Sequence, residues 1–176
     1  NATQWFDADG NAYFGGQLAA GVLHNVVRTT TTQTVGTELV NGPFTTNGRV
    51  RAVTVSFSRR ITRIHNGFGT DGFVAGAGAN TATVQIYRKI GDAAETLWQT
   101  LNVNGYVNIQ NEGDAPDRAD SYWGSSFTVN DTSPASQTVQ YRGVITAYAA
   151  QSVTHQSGVI NSTTTTQTLT IGSVEQ

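Results

Sequence analysis

The sequence predicts an all-β protein: an antiparallel β-sandwich, jelly-roll-like, preceded by a short hairpin and neck segment. Three observations predict it. Apolar residues recur with period two along almost everything after residue 34. Thr is heavily used, and its branched Cβ suits a pleated strand. Turn signals punctuate the runs at intervals that allow roughly eight to ten strands. One-sided apolar rows of this kind are buried by packing two sheet faces together.

The chain begins with two short aromatic runs, Trp5-Phe6 and Tyr13-Phe14, separated by Asp7-Ala8-Asp9-Gly10-Asn11. A Gly able to take positive φ between aromatic runs reads as a hairpin with aromatics opposed across it. The Asp7/Asp9/Asn11 spacing lacks the distal Glu of a calcium loop, so a turn is the better reading and no metal site is expected. Gly15-Gly16 then ends the pattern. Leu18, Val22 and Val26 are four apart, which admits a short helix near residues 17 to 27, interrupted by Gly21. Alone, such a segment buries little; it makes sense as a neck packing against other copies of itself. The division expected is a hairpin and neck over 1–28 and a tip domain over 29–176.

Within the larger part, Val53, Val55 and Phe57 oppose Thr54, Ser56 and Ser58, and Val84, Ile86 and Ile90 alternate with Gln85, Tyr87 and Lys89. Further rows are Trp123, Phe127 and Val129; Val139, Tyr141, Ile145 and Ala147; Val153, His155 and Val159; and Leu169 with Ile171. Turns are expected at Asn41-Gly42-Pro43, Asn47-Gly48, Asn66-Gly67, Gly91-Asp92, Asn104-Gly105, Ser133-Pro134 and Ser157-Gly158. The run Thr29–Val35 recurs as Thr163–Leu169 with unmatched flanks, and reads as two Thr-rich strands rather than a duplicated domain.

Composition narrows function. Of 176 residues only 12% are charged, about half the usual share, and the net charge is −2. The densest basic group, Arg59, Arg60 and Arg63, reads as a solvated strand end, so no nucleic-acid partner is expected. Cysteine is absent, which removes disulfides and thiol chemistry. No apolar run is long enough to span a bilayer as a helix, so membrane insertion is not expected. His24, His65 and His155 share no metal-ligand spacing, and neither a nucleophile elbow nor a phosphate loop occurs; no enzyme activity, catalytic residue or cofactor is expected. A chain with no Met that opens at Asn1 is expected to be a fragment or a processed product.

Two loops exceed what hairpins need, and long loops on a rigid scaffold concentrate binding residues. Residues 66–80 are Gly-rich and carry Phe68, Asp71 and Phe73; residues 110–123 carry Glu112, Asp114, Asp117 and Asp120 and end in Tyr122 and Trp123. Phe68, Asp71, Phe73, Asp114, Asp117, Tyr122 and Trp123 are the expected binding contacts. Trp123 is also in phase with Phe127 and Val129, which leaves a core role open. Trp98 and Tyr106 flank Asn104-Gly105 and either pack across a hairpin or form an exposed edge, packing being slightly preferred.

The phrase running from Trp5-Phe6-Asp7 through Gly10, Tyr13, Gly15 and Leu18 to Ala20-Gly21 resembles the segment that leads into the C-terminal domain of tail-tip host-specificity proteins, the central tail fibres of long-tailed bacteriophages. The likeness covers residues 5 to 23 well and the β-rich remainder loosely. It implies a C-terminal piece of a longer fibre, a homotrimer, a place at the distal end of the virion tail outside the host cell, and attachment to a bacterial surface receptor, whether glycan, pilus or outer-membrane protein. A purely structural trimerising cap and a carbohydrate-binding or glycan-degrading module are the alternatives.

Overall fold

The structure, a computed structural model, describes residues 3–6, 12–15 and 28–33 as strands, together with residues 37–67, 69–113 and 116–175. Among these described residues there are twelve strands: β1 (Thr3–Phe6), β2 (Ala12–Gly15), β3 (Arg28–Gln33), β4 (Glu38–Thr45), β5 (Val50–His65), β6 (Phe73–Ala75), β7 (Asn80–Ile90), β8 (Thr96–Gln110), β9 (Asp117–Thr132), β10 (Thr138–Ala149), β11 (Val153–His155) and β12 (Ser162–Glu175). No helix occurs among the described residues; the neck at 17–27 and the turn at Asp7–Asn11 lie outside them. β1 and β2 form the antiparallel hairpin expected from the aromatic runs, with Trp5 opposite Tyr13.

Eight strands form one antiparallel sheet in the order β3-β12-β5-β9-β8-β7-β10-β4. The sheet curls until its edge strands β3 and β4 lie beside each other, nearly closing a barrel. Across the seam the Asn41 side-chain amide donates to the Ile171 carbonyl at 2.9 Å. The face-to-face packing expected of a sandwich is thus met by opposite halves of one curled sheet. Eight strands enclose an interior that side chains can just fill. Val53, Val55 and Phe57 meet Val84 and Ile86, Leu101 and Val103, Val139 and Tyr141, and Leu169 and Ile171 there, all buried. The rows of β5, β7, β9, β10 and β12 are therefore inner faces, except that Ala147 is exposed beyond a register shift after Ile145.

Four local expectations change. Asn41-Gly42-Pro43 is not a turn: it lies inside β4, where the register against β10 shifts between Val139 and Tyr141. The residues between form a bulge, which Gly at φ +109° accommodates. Asn104-Gly105 is not a turn either. β8 runs straight through it, and Gly105 faces Trp123 on one side and Asn80 on the other. A Cβ there would stand 1.8 Å from the Tyr122 carbonyl oxygen, so the glycine marks a close backbone approach. Val159 leaves the row of Val153 and His155 and is 49% exposed, because the chain turns at Ser157-Gly158. Arg59, Arg60 and Arg63 lie within β5 and are engaged rather than solvated: Arg59 bonds Gln167 at 2.7 Å and Arg63 bonds Ser121 at 3.0 Å. The two Thr-rich runs do form neighbouring strands, offset so that β3 pairs with residues 169–174 while Thr163–Gln167 pairs with β5.

Near the Thr132 end of β9 the interior holds charge. Asp131 accepts from the Tyr141 hydroxyl at 2.6 Å and the Ser133 hydroxyl at 3.3 Å, and pairs with Arg88. Arg51 and Glu175, both buried, pair at 3.3 Å. Burial, then the Asp131 carboxylate, pushes the Tyr141 hydroxyl far above the ordinary phenol range.

Candidate functional site

Register sets three rows of side chains on the outer face near the Asp117 end of β9. Across β12, β5, β9 and β8 they read Thr166, Arg60, Tyr122, Tyr106; then Thr164, Thr62, Asp120, Asn108; then Ser162, Ile64, Arg118, Gln110. Period-two geometry puts all twelve on one side of the sheet.

Asp120 sits at the centre and is buried although it faces outward, because its neighbours cover it. Arg60 grips it with two parallel bonds, Nε to Oδ1 at 3.0 Å and Nη2 to Oδ2 at 2.8 Å. The Thr62 hydroxyl donates at 2.5 Å, Arg118 Nε at 2.8 Å and the Tyr122 hydroxyl at 3.3 Å. Desolvation resists ionisation of Asp120, but the bonds from Arg60, Thr62 and Arg118 outweigh it, and the carboxyl is held well below its usual range. The bond to Asp120 raises the already high pKa of Arg60. Burial and the Asp120 charge raise Tyr122.

Tyr122 is held from both faces. The Arg60 guanidinium lies 5.1 Å from its ring centre and the Tyr106 ring stacks on it at 5.0 Å and 27°. Tyr106 itself is 63% exposed, the most exposed of the large hydrophobic side chains among the described residues. Along the outer face of β5, β8, β9 and β12 only Arg60, Arg118 and Asp120 are charged; Thr, Ser, Asn and Gln dominate the rest. The result is a ledge with an aromatic plane, two guanidiniums on one carboxylate, and a surround of hydroxyls and amides. Such a surface can stack a ring and hydrogen-bond polar groups around it.

Among the described residues, the ledge takes in only one of the expected contacts, Tyr122. Trp123 is the next residue along the strand and faces inward; it is 2% exposed, and its indole N–H donates to the Ala149 carbonyl at 3.1 Å. Phe73 is not on a loop tip: β6 pairs with β11, and Phe73 packs with Ala119 and Val153 in a second small core. Asp117 is buried, taking the Glu112 N–H at 2.9 Å and His155 Nε2 at 3.1 Å. Phe73, Asp117 and Trp123 are therefore corrected from surface contacts to interior residues. Asp71 is exposed on its loop and belongs to none of the three rows, and Phe68 and Asp114 lie outside the described residues. Tyr106, Arg60, Arg118 and Asp120 were not among the expected contacts. The exposed-edge alternative for Tyr106 was the available signal.

A second polar cluster lies where β9 begins. His65 and His155 stack at 3.8 Å and 21°. His65 Nδ1 lies 3.0 Å from the Val159 carbonyl, which only accepts, so that nitrogen carries a proton. The Ser157 backbone N–H donates to His155 Nδ1 at 3.2 Å, so the proton of His155 is on Nε2, directed at Asp117. That bond, aided by the Glu112 N–H, outweighs the opposing desolvation and holds Asp117 below the usual carboxylate range. Ser157, His155 and Asp117 follow one another in hydrogen-bond order, with the Ser157 hydroxyl 2.7 Å from Nδ1. The same hydroxyl accepts the Val159 N–H at 3.3 Å, two residues on, and the set closes the turn that follows β11.

No protein-family model matches this chain, and no curated protein matches it.

Proposed function

We propose that this domain is the tip of a bacteriophage tail fibre, and that it attaches the virion to the bacterial surface by binding rather than by chemistry. The observation that carries the reading is the ledge around Tyr106: an exposed aromatic plane set in an otherwise hydroxyl- and amide-covered sheet face. The aromatic-hairpin phrase at residues 5–23 supplies the fibre context. Three copies on one axis would convert weak single contacts into firm attachment.

The test is binding of the purified chain to intact host cells, with its mass in solution measured alongside. Saturable binding by a trimer that competes with phage for adsorption supports the reading. A stable trimer that neither binds nor competes makes the domain a structural cap, and a monomer removes the neck argument.

A further inference from the structure

Resting on the adhesion reading above, the charge of the ledge narrows the ligand. Two guanidiniums converge on one carboxylate, leaving one positive charge in excess on the outer face of β5, β8, β9 and β12, where no other described residue is charged. Arg118 spends only Nε on Asp120; its two Nη groups make no bond among the described residues, and its side chain is 39% exposed. Asp120 fixes the plane of the Arg60 guanidinium with two bonds and anchors Arg118 through Nε, and so acts as a positioning residue. Tyr106 and Gln110 lie on the neighbouring strand, opposite Tyr122 and Arg118.

We propose that the ledge binds an acidic oligosaccharide: the carboxylate of a uronic acid unit pairs with the Nη edge of Arg118, while an adjoining sugar ring lies on Tyr106. One net positive charge matches one carboxylate, and a guanidinium edge matches a planar two-oxygen acceptor. Asn108 and Gln110 serve the sugar hydroxyls, donating and accepting as those groups require.

The experiment titrates the purified chain with trigalacturonic acid, its neutral methyl ester and a hyaluronan tetrasaccharide, reading backbone amide shifts and affinity. At least one acid should bind saturably and perturb β8 and β9, the ester of trigalacturonic acid should bind at least about tenfold more weakly than the acid where that acid binds, and binding should weaken as salt rises from about 50 to about 500 mM. Arg118→Gln should abolish the preference for acid over ester, and Tyr106→Ala should weaken both. Thermal midpoints equal to that of the parent chain show that either variant is folded. Equal affinity for acid and ester, no binding of either acid at about millimolar concentration, or an unchanged Arg118→Gln overturns the proposal. So does conversion of a trimer to monomer by Tyr106→Ala, which would make the ledge an interface between copies. If cells are still bound in those cases the adhesion reading stands; if acids bind the ledge and cells do not, the adhesion reading fails alone.

Discussion

Asp120 and Asp131 sit on one strand, β9, and face opposite sides of the sheet. Each is buried, each is paired with arginine, and each accepts a tyrosine hydroxyl, from Tyr122 in one case and Tyr141 in the other. They differ in what surrounds them. Around Asp131 the hydroxyl partners are enclosed by the barrel and only Arg88 reaches solvent, with 26% of its side chain exposed: Ser133 is buried, Tyr141 is fully buried, and its ring lies 5.4 Å from that of Trp98. Around Asp120 the partners form the surface, with Arg60 and Arg118 each 39% exposed and Tyr106 stacked outside Tyr122. The same three chemistries make a structural lock when sealed and a recognition surface when left half open. Solvent access decides which, because it sets both the cost of breaking the pair and the availability of its unused donors.

The largest expected effect tests the sealed side. Asp131→Ala leaves Arg88 and the buried Tyr141 hydroxyl without their acceptor and should cost about 3–5 kcal/mol in chemical denaturation. A loss under about 1 kcal/mol would show the two clusters to be energetically alike. Trp123→Ala should cost a similar or slightly smaller amount, about 3 kcal/mol or more, since it empties an inner position. Tyr106, on the opposite face of the sheet, provides the contrast: Tyr106→Ala should change stability by no more than about 0.5 kcal/mol while abolishing cell binding. A stability loss as large as that of Trp123→Ala would place Tyr106 with the core.

The pH profile separates the clusters further. Asp117 and Asp120 have folded-state values below the ordinary carboxylate value of about 3.9, so the stability they add is complete above that pH and is lost as pH falls through their folded values. Tyr141 is raised, so its contribution is complete below about pH 10 and is lost as pH rises beyond it. Thermal midpoints should therefore fall at both extremes. Asp120→Asn should flatten only the acid side and Tyr141→Phe only the alkaline side; a variant that moves the opposite arm would contradict the assignment. These shifts are the smallest effects expected.

Much of the fold was legible. Period-two rows such as Val53, Val55 and Phe57 name their own buried face, because alternation is a property of the strand alone. The aromatic hairpin and the Thr-rich strands were legible for the same local reason. Two glycine signals misled: Gly42 and Gly105 permit a turn, but the neighbouring strands use them for a bulge and for close contact. Phe73 and Asp117 read as loop residues because nothing near them in sequence shows β11 arriving to cover them.

By itself, the sequence determined the fold class, the strands that carry the core and the polar, nearly uncharged character of the outer face. Each of these follows from residue type and short spacing. The tertiary structure alone decided that the sheet curls on itself, that Trp123 faces in while Tyr122 faces out to meet Tyr106, and that Arg60 and Arg118 share Asp120. Those facts depend on strand register between segments far apart in the chain, and a slip of one residue would have turned every one of these side chains to the other face.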